Sequence, residues 1–445
     1  MTIHTSYDVR IPTHEYNKAF ADTAEKYRAA VDFFISVRME ERAVFSEPAA
    51  RYALVRKMEI LTHRTKDNPD PKYDFGKDFY KFPSYLRRSA IAEALGKVSS
   101  YESSLALWEK THEGKKPGKP TAGYAYPALY HGNTFVRIDD YTAKIKVWIR
   151  STWDWVRVSL RKTDVDYILK YCSGRKECVP ILRKRHKYWV LSFSYEEEVK
   201  LRDVSVKEQI ILSVDLGINS ACVCTAMRSD GTITGRKFLQ LSKEEDCLRH
   251  ALNRIKKAQQ HGSRKMPGLW ARAKGINDRI AVCTAQFIVE TAARFDAAVI
   301  VFESLDTRGK KKGSRSRRQR IHHWRAAYVQ KMVTDKAHRI GMRISRVNAW
   351  GTSKLAYDGS GEVSRGKEAG FQSNAMCRFQ SGKEYNCDLN ASYNIGARYY
   401  IREILKSVPE TERLRILAKV PECSKRSTAT YATFISLCAE LDAAA

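Results

Sequence analysis

Two acidic residues stand where a carboxylate is chemically unusual. Asp215 ends the apolar run Ile210–Val214, and Glu303 ends the apolar run Ala297–Phe302. Runs of this kind predict buried strands, and an unpaired carboxylate at the mouth of a buried strand is costly to desolvate. Such an acid usually has a cation, and a hard oxygen ligand suits Mg²⁺. For either position alone, the alternative is a strand that simply meets a turn.

A third acid, Asp388, begins a predicted helix in which Asn390 and Asn394 lie one turn apart on the same face. By itself, an acid in a first helical turn is explained by the helix dipole. The order of the elements points further, because a strand meander, a helix, a second buried strand and a late helix follow one another as in an RNase H-like fold. That topology places the first and fourth strands side by side and the last helix across them. Three converging carboxylates can bind two Mg²⁺ ions about 4 Å apart, one activating water and one stabilising the leaving oxygen.

The segments around the three acids resemble the RuvC nuclease motifs of TnpB, a transposon-encoded family of RNA-guided DNA nucleases related to compact type V CRISPR effectors. The matching segments are Val214–Gly217, Phe302–Leu305 and Asp388–Ile395. The resemblance implies that Asp215, Glu303 and Asp388 are the catalytic, Mg²⁺-binding residues of an endodeoxyribonuclease that hydrolyses phosphodiesters. It also implies two partners, namely a guide RNA (transposon-end RNA or crRNA) and a target DNA with a short flanking motif.

Two other functions stay open. One is a nuclease-silent, RNA-guided DNA-binding regulator, and the three intact acids argue against it. The other is an unguided RuvC-type nuclease. The large basic N-terminal half argues against that function, since a bare RuvC domain does not need it.

The charge balance favours a polyanionic partner. The 445 residues include 79 Lys and Arg but only 50 Asp and Glu, which leaves a net charge of +29. A surface this positive repels itself unless a polyanion neutralises it, and nucleic acid rewards each cationic contact by releasing counterions. The 23 Tyr and 8 Trp could stack with unpaired bases.

The sequence predicts a cytoplasmic protein of a bacterium or archaeon, with no membrane partner. The N-terminus lacks the pattern of a signal peptide, and no apolar stretch is long enough to span a bilayer. The ten cysteines lie mostly within apolar runs, which is typical of reduced thiols rather than of a disulfide framework.

Two basic regions, a predicted sheet and a later loop, are candidate nucleic-acid contacts. Apolar and basic residues alternate along 144–150 and 156–161, so one face of the predicted sheet is cationic. That face is either simply solvated or lines a groove that tracks a phosphate backbone. Arg308–Arg320 carries eight cationic residues in thirteen and is either a surface loop or a phosphate grip beside the second acid. The candidate contacts are Lys144, Lys146, Arg157, Lys310, Lys311, Lys312, Arg315, Arg317 and Arg318.

The predicted fold class is a multidomain α+β protein with an RNase H-like (RuvC) nuclease domain. By the resemblance, a β-barrel (wedge) module with a helical recognition insertion precedes it. The predicted boundaries are 1–12 and 118–205 for the β-barrel wedge module, 13–117 for the helical recognition insertion, 206–348 and 388–410 for the two parts of the nuclease, 349–387 for a zinc-ribbon-like lid and 411–445 for a C-terminal helical tail.

The lid departs from the family pattern, in which two Cys-x-x-Cys pairs usually form a zinc ribbon. Here the interval holds only Cys377 and Cys387, which cannot complete a tetrahedral zinc site, so no zinc is expected. A disulfide between them is disfavoured in a reducing cytoplasm. We therefore expect a metal-free lid whose glycines let it move. The residues expected to hold it by packing are Trp350, Leu355, Tyr357, Phe371 and Phe379.

Overall fold

The computed structural model describes residues 1–47, 49–66, 68–112, 114–217, 221–305, 325–425 and 427–443. The chain forms two compact units: residues 2–198, which we call the N-terminal unit, and residue 1 with 199–445, which we call the C-terminal unit. Both contain helices and strands, so the predicted α+β class is confirmed. The division at 198 comes earlier than the boundary predicted at 205. Residue Arg202 explains the difference, because its backbone N–H donates to Gly341 at 2.7 Å, within the C-terminal unit.

The N-terminal unit contains two antiparallel sheets. In the first, β7 pairs with the other three strands: β1 (Thr2–Ile11), β5 (Lys176–Glu177), β6 (Ile181–Arg185) and β7 (Tyr188–Glu198). The second has three strands in sequence order: β2 (Phe135–Asp139), β3 (Thr142–Ile149) and β4 (Thr152–Ser159). Ala143, Ile145 and Val147 of β3 are fully buried, which confirms the alternation expected of a half-buried strand.

The helices of the N-terminal unit share a core with both sheets. Their bounds are α1 (Asn17–Glu40), α2 (Arg51–Thr62), α3 (Phe75–Asp78), α4 (Ser84–Thr111) and α5 (Lys162–Cys172), with a 3-10 turn at Arg42–Phe45. Phe20, Tyr27 and Phe34 of α1 are fully buried, since a spacing of seven residues, about two helical turns, places them on one helical face. The same apolar cluster includes Phe135 of β2 and Phe193 of β7. The helical segment therefore packs against the sheets within one unit.

A five-stranded sheet is the centre of the C-terminal unit, in the order β10-β9-β8-β11-β12. Its strands are β8 (Ile210–Asp215), β9 (Cys222–Arg228), β10 (Ile233–Leu239), β11 (Val299–Ser304) and β12 (Arg343–Asn348). The first three form an antiparallel meander, and β11 runs parallel to both β8 and β12. The predicted meander and the predicted pairing of the first and fourth strands are confirmed.

Helices cover both faces of this sheet. Their bounds are α6 (Ser242–Gln260), α7 (Pro267–Arg294), α8 (Ala326–Arg339), α9 (Cys387–Ser407), α10 (Glu410–Lys419) and α11 (Tyr431–Asp442). Leu212 and Phe302 pack with α7 and α8 on one face. Ile211 and Val301 pack with α9 and α11 on the other. This division follows from the two-residue period of a strand, which sends successive side chains to opposite faces.

A second, small sheet precedes α9. It consists of β13 (Ser364–Arg365), β14 (Met376–Arg378) and β15 (Glu384–Asn386), paired in that order, with a 3-10 turn at Gly366–Ala369. Another 3-10 turn, Pro421–Ser424, separates α10 from α11.

Among the described residues, none of the helices combines the length and the apolar character needed to cross a bilayer.

The C-terminal helices belong to the core of their unit. Phe434 of α11 stacks on Tyr400 of α9 with ring centroids 5.3 Å apart, and both side chains are fully buried. Arg398, also on α9, is 5% exposed and donates hydrogen bonds of 2.7–2.9 Å to four carbonyl oxygens. The acceptors are Asn348, Trp350, Ser427 and Ala429. One guanidinium thus joins the end of β12 to the segment before α11.

We expect Arg398→Lys to destabilise the C-terminal unit by about 2–4 kcal/mol. A lysine cannot reproduce the fork of donors, so buried carbonyls lose their partners, at about 1–3 kcal/mol each. Urea unfolding of the full chain measures the effect. Arg413→Lys is the control, because that side chain is partly exposed and pairs with Glu410 on the surface of α10. Equal midpoints for the two variants would contradict the role of Arg398.

Candidate active site

The strand register explains why Asp215 and Glu303 lie together. Val214 of β8 is paired with Phe302 of β11, so the two acids come one residue later on adjacent parallel strands. Ile211 and Val301 face α9. Side chains an even number of residues apart on a strand point to the same face of the sheet, so Asp215 and Glu303 also point toward that helix. The sheet therefore directs both carboxylates to one face at its carboxyl edge.

Asp388 reaches the same place from the first turn of α9. Asn386 caps this helix, because its side-chain oxygen accepts from the backbone N–H groups of Asp388 at 3.0 Å and Leu389 at 2.9 Å. Helix α9 packs across β8, β9, β11 and β12. The three acids predicted from the sequence are thus brought together by two strands and one helix terminus.

Burial and mutual repulsion dominate the electrostatics of the site. Desolvation raises the pKa of Asp215 well above its usual range, and the charges of Glu303 and Asp388 raise it further. Arg365 acts in the opposite direction on Asp215. Burial also raises the pKa of Glu303, where a hydrogen bond from Thr352 and the charge of Arg398 partly offset it. Three carboxylates this close together, in a largely buried place, favour a bound cation.

Polar contacts fix Glu303 in position. The Thr352 hydroxyl donates to Oε1 of Glu303 and also lies 3.1 Å from the carbonyl oxygen of Ala349. Gln330 of α8 donates at 2.9 Å to the backbone carbonyl of Glu303. Burial lowers the pKa of the nearby Arg398 guanidinium to about 10, so it stays cationic at neutral pH. Neither Thr352 nor Gln330 stands out in the sequence, because both contacts join distant segments.

The two asparagines after Asp388 hold the segment that follows β12. Asn390 donates to the carbonyl of Leu355 at 2.9 Å and accepts from the backbone N–H of Tyr357 at 2.8 Å. Asn394 donates to the carbonyls of Thr352 and Leu355, both at 2.9 Å. Both amides are fully buried, so they act as structural anchors. The predicted spacing of one helical turn is what lets them bind one segment.

Arg365 is a site residue that the sequence analysis missed. Its charge partly offsets the raised pKa of Asp215, and together with the hydrogen bond from Cys377 it lowers the pKa of the Cys387 thiol. Its Nε and Nη2 atoms are buried and make no hydrogen bond within the described residues. Two buried guanidinium nitrogens without a partner, on a half-buried arginine beside a carboxylate cluster, have donors for an anionic oxygen. No local pattern marks this arginine among the many others of the chain.

The residues present fit a divalent cation. Asp215, Glu303 and Asp388 offer only carboxylate oxygens, the ligand type that Mg²⁺ prefers. The raised pKa of Asp215 has like-charge repulsion among its causes, and a cation between the acids would relieve that repulsion.

The predicted nucleic-acid contacts divide into two groups. Lys144, Lys146 and Arg157 lie on the outward face of the β3–β4 pair, where Lys144 is opposite Arg157 and Lys146 is opposite Trp155. The basic segment predicted after the second acid, with Lys310, Lys311, Lys312, Arg315, Arg317 and Arg318, lies outside the described residues.

Comparisons with known proteins give a family and a fold. A family model described as the Aq_aa04 family matches residues 4–149. The uncharacterized protein aq_aa04 of Aquifex aeolicus (strain VF5) is 30% identical over 153 residues, covering 30% of this chain and 83% of that protein. The chain belongs to the Aq_aa04 family.

Solved structures extend the comparison beyond the residues that match the Aq_aa04 family. The chain is similar to a mini-RNA-guided endonuclease, CRISPR-Cas_phi3, with a TM-score of 0.50 and 12% identity, over 88% of this chain and 92% of that one. It is also similar to the Cas12f1 of a Cas12f1–sgRNA–target DNA complex, with a TM-score of 0.34 and 14% identity, over 89% of this chain and 98% of that one. The first of these likenesses shows that the chain shares the fold of that endonuclease.

The Aq_aa04 family match contains Lys144 and Lys146 but none of the three acids. The family name therefore carries no information about the carboxylate site. The fold likeness spans both units of the chain.

The segment predicted to be a lid differs in part from its prediction. Phe379 is buried in a small cluster with Cys377 and Cys387, and Tyr357 packs against that cluster. Trp350, in contrast, is 58% exposed, so its predicted place in the packing is wrong. Its carbonyl is bound by Arg398, which fixes the backbone there without burying the indole. The two thiols lie within hydrogen-bonding contact of each other.

We expect Asp215→Asn to stabilise this Aq_aa04 family member when divalent metal is absent. The amide removes one of three crowded charges, and a gain of about 1 kcal/mol corresponds to a Tm increase of about 2–4 °C for a unit of this size. Addition of Mg²⁺ should raise the Tm of the wild type more than that of the variant. Differential scanning fluorimetry with EDTA or with Mg²⁺ measures both.

Asp442→Asn is the matched control, because Asp442 ends α11 and takes no part in the carboxylate cluster. A lower Tm for Asp215→Asn in EDTA, together with an unchanged Mg²⁺ response, would contradict the charge-crowding explanation.

Proposed function

We propose that this protein is an RNA-guided, Mg²⁺-dependent DNA endonuclease of the compact type V kind, whose C-terminal unit is an RNase H-like (RuvC) nuclease. The observation that carries the proposal is the convergence of Asp215, Glu303 and Asp388 on one face of the sheet. The order β10-β9-β8-β11-β12, with a parallel strand added beside an antiparallel meander, supports the RNase H-like assignment. The fold likeness to CRISPR-Cas_phi3, a mini-RNA-guided endonuclease, supports the guided function.

In this proposal the three acids hold Mg²⁺. Bound Mg²⁺ would supply Lewis-acid activation of water and charge stabilisation for the leaving 3′ oxygen. Thr352 and Gln330 keep Glu303 oriented through its carboxylate and its backbone carbonyl. Arg365 presents unpaired N–H groups beside Asp215, where they would donate to a non-bridging phosphate oxygen of the DNA. No covalent protein nucleophile is needed.

Replacement of the third acid tests the chemical step. We expect Asp388→Asn to lower the cleavage rate by about 10²-fold or more, because a lost metal ligand removes several kcal/mol of transition-state stabilisation. Guide and target binding should change little, since Asp388 would serve the metal and not the heteroduplex. To define the substrate, the RNA that copurifies with the full chain is first sequenced. The same procedure applies to a guide RNA from a transposon end and to one from a CRISPR array. A DNA matching its variable end is then the substrate.

Glu384→Gln is the control for this assay, because Glu384 is an acid close in sequence whose partner is the exposed Arg378. Near wild-type cleavage by Asp388→Asn would disprove the triad. A wild type that binds its matched target but never cuts it would favour the regulator. Cleavage that is independent of RNA would favour the unguided nuclease.

The outward face of β3 and β4 supports the binding of a nucleic-acid strand. Trp148 lies opposite Trp153, Lys146 opposite Trp155 and Lys144 opposite Arg157, so cationic and aromatic side chains follow one another along one face. Lys146 lies 5.9 Å from the ring centroid of Trp155. Cations can contact phosphates on such a surface while the indole of Trp155 stacks with a base; Trp153 instead packs against the apolar core beside Phe82. We propose that this ladder contacts the guide RNA.

Neutralisation of this ladder should weaken RNA binding and its dependence on salt. For the triple variant Lys144→Gln, Lys146→Gln and Arg157→Gln, the slope of log affinity against log salt should become less steep by about 2, since each phosphate contact contributes about 0.7–0.9. Filter binding with the copurified RNA at several salt concentrations measures the slope.

The matched control is the triple variant Lys18→Gln, Lys77→Gln and Lys170→Gln, which removes the same charge from exposed helical positions of the same unit. Equal slopes for the two triple variants would show that the ladder has no specific role and that only net charge matters.

A further inference from the structure

A mixed group of potential metal ligands lies in the N-terminal unit and takes no part in the proposed nuclease chemistry. It consists of His4, Cys178 and Glu196, which each present one ligand atom within 4.8 Å of the other two. His4 is exposed, while Cys178 and Glu196 are half-buried. The three differ in chemical type, offering an imidazole nitrogen, a sulfur and a carboxylate oxygen.

The sheet topology explains why these residues meet. Strand β7 lies between β1 and β5, and His4 of β1 is directly opposite Glu196 of β7. Cys178 follows β5 and continues its pairing, since its backbone N–H donates to the Ser194 carbonyl of β7 at 2.7 Å. Ser194 is two residues from Glu196, so all three side chains emerge on the same face of the sheet. The ligand atoms of His4 and Cys178 therefore lie within 4.8 Å of the Glu196 carboxylate on the central strand.

Glu196 is already oriented for a ligand role. The ammonium of Lys176 lies 2.7 Å from Oε2 of Glu196, while Oε1 lies 4.0 Å from Nε2 of His4. One carboxylate oxygen is therefore held by a cation, and the other faces the imidazole. Ligating carboxylates in metal sites commonly have such a hydrogen-bonded partner on the second oxygen.

We propose that His4, Cys178 and Glu196 form a site for a zinc-class divalent cation that ties β1 to β5 and β7. A tetrahedral Zn²⁺ with bonds of about 2.0–2.3 Å needs ligand atoms about 3.5 Å apart. Rotations of three partly exposed side chains provide this small contraction. With three protein ligands, the fourth position is left for water or for an exogenous ligand.

The donor set selects the metal. A thiolate and an imidazole favour zinc over magnesium, which prefers oxygen ligands and octahedral geometry. The site is therefore chemically distinct from the three carboxylates and would bind in the presence of excess Mg²⁺. A metal here would join the first strand of the unit to strands much later in the sequence, and it would stabilise the folded state through binding.

Cobalt substitution of the full-length protein in excess Mg²⁺ tests the proposal. We expect one Co²⁺ per chain, with the near-ultraviolet charge-transfer band of a cobalt–thiolate bond. Cys178→Ser should abolish that band. His4→Gln should keep it but weaken the affinity for Zn²⁺, measured by competition with a chelator, by about 10-fold or more. His4 has a side chain that is 58% exposed, so its replacement leaves the fold intact.

Two controls separate this site from the other thiols. Cys247→Ser removes an exposed thiol elsewhere, and the double variant Cys377→Ser with Cys387→Ser removes the pair beside Asp388; both should keep the band. The proposal is overturned if no thiolate band forms. It is also overturned if the band survives Cys178→Ser, or if only the Cys377 and Cys387 variant loses it. The metal content does not depend on nuclease activity, so this result is independent of the proposed function.

Discussion

The repulsion among Asp215, Glu303 and Asp388 in a largely buried place is the constraint on which the C-terminal unit depends. Like charges so close are tolerated only where the surrounding fold is rigid and neighbouring groups offset part of the cost. The sheet supplies rigidity, because two adjacent parallel strands carry two of the acids. Thr352, Arg398 and Arg365 supply the compensation. A bound cation would complete it.

Helix α9 connects the acids to the rest of the unit. Its packing on the sheet is close, since a Cβ added at Gly396 would lie 2.8 Å from the terminal methyl of Met227. Ser392 and Thr225 share a buried hydrogen bond of 2.6 Å across the same interface. The helix also holds the segment after β12 through its two asparagines and the C-terminal segment through Arg398. The position of Asp388 therefore depends on contacts far from the acids in sequence.

The two units contribute different kinds of information. The Aq_aa04 family match lies in the N-terminal unit, which carries the ladder of lysines and tryptophans and the group around His4. The proposed hydrolytic chemistry belongs to the C-terminal unit, which lies outside the family match. A guided nuclease needs both properties, a surface for nucleic acid and a site for phosphodiester cleavage. The division explains how a protein can match a family within one unit while its candidate chemistry lies in the other.

Local patterns were enough to predict several features. Apolar runs ending in an acid marked Asp215 and Glu303, and the alternation of residues 144–150 marked a half-exposed strand. Both patterns operate over a few residues, so they can be read without knowledge of the fold. The order of strands and helices then predicted which strands are neighbours, because few topologies accommodate that order.

Only the tertiary structure decided which other residues share the site. Arg365, Thr352 and Arg398 reach the acids or their supports through contacts between distant segments, and such contacts leave no periodic trace in the sequence. The exposure of Trp350 also depends on a contact between distant segments. Arg398 binds the backbone carbonyl of Trp350, so the segment is held without burial of the indole, and the hydrophobicity of the residue could not show this. Residue types and spacing determined the chemistry that is possible here. Packing between segments decided how that chemistry is positioned, because the free energy of burial depends on neighbours that the chain supplies only when folded.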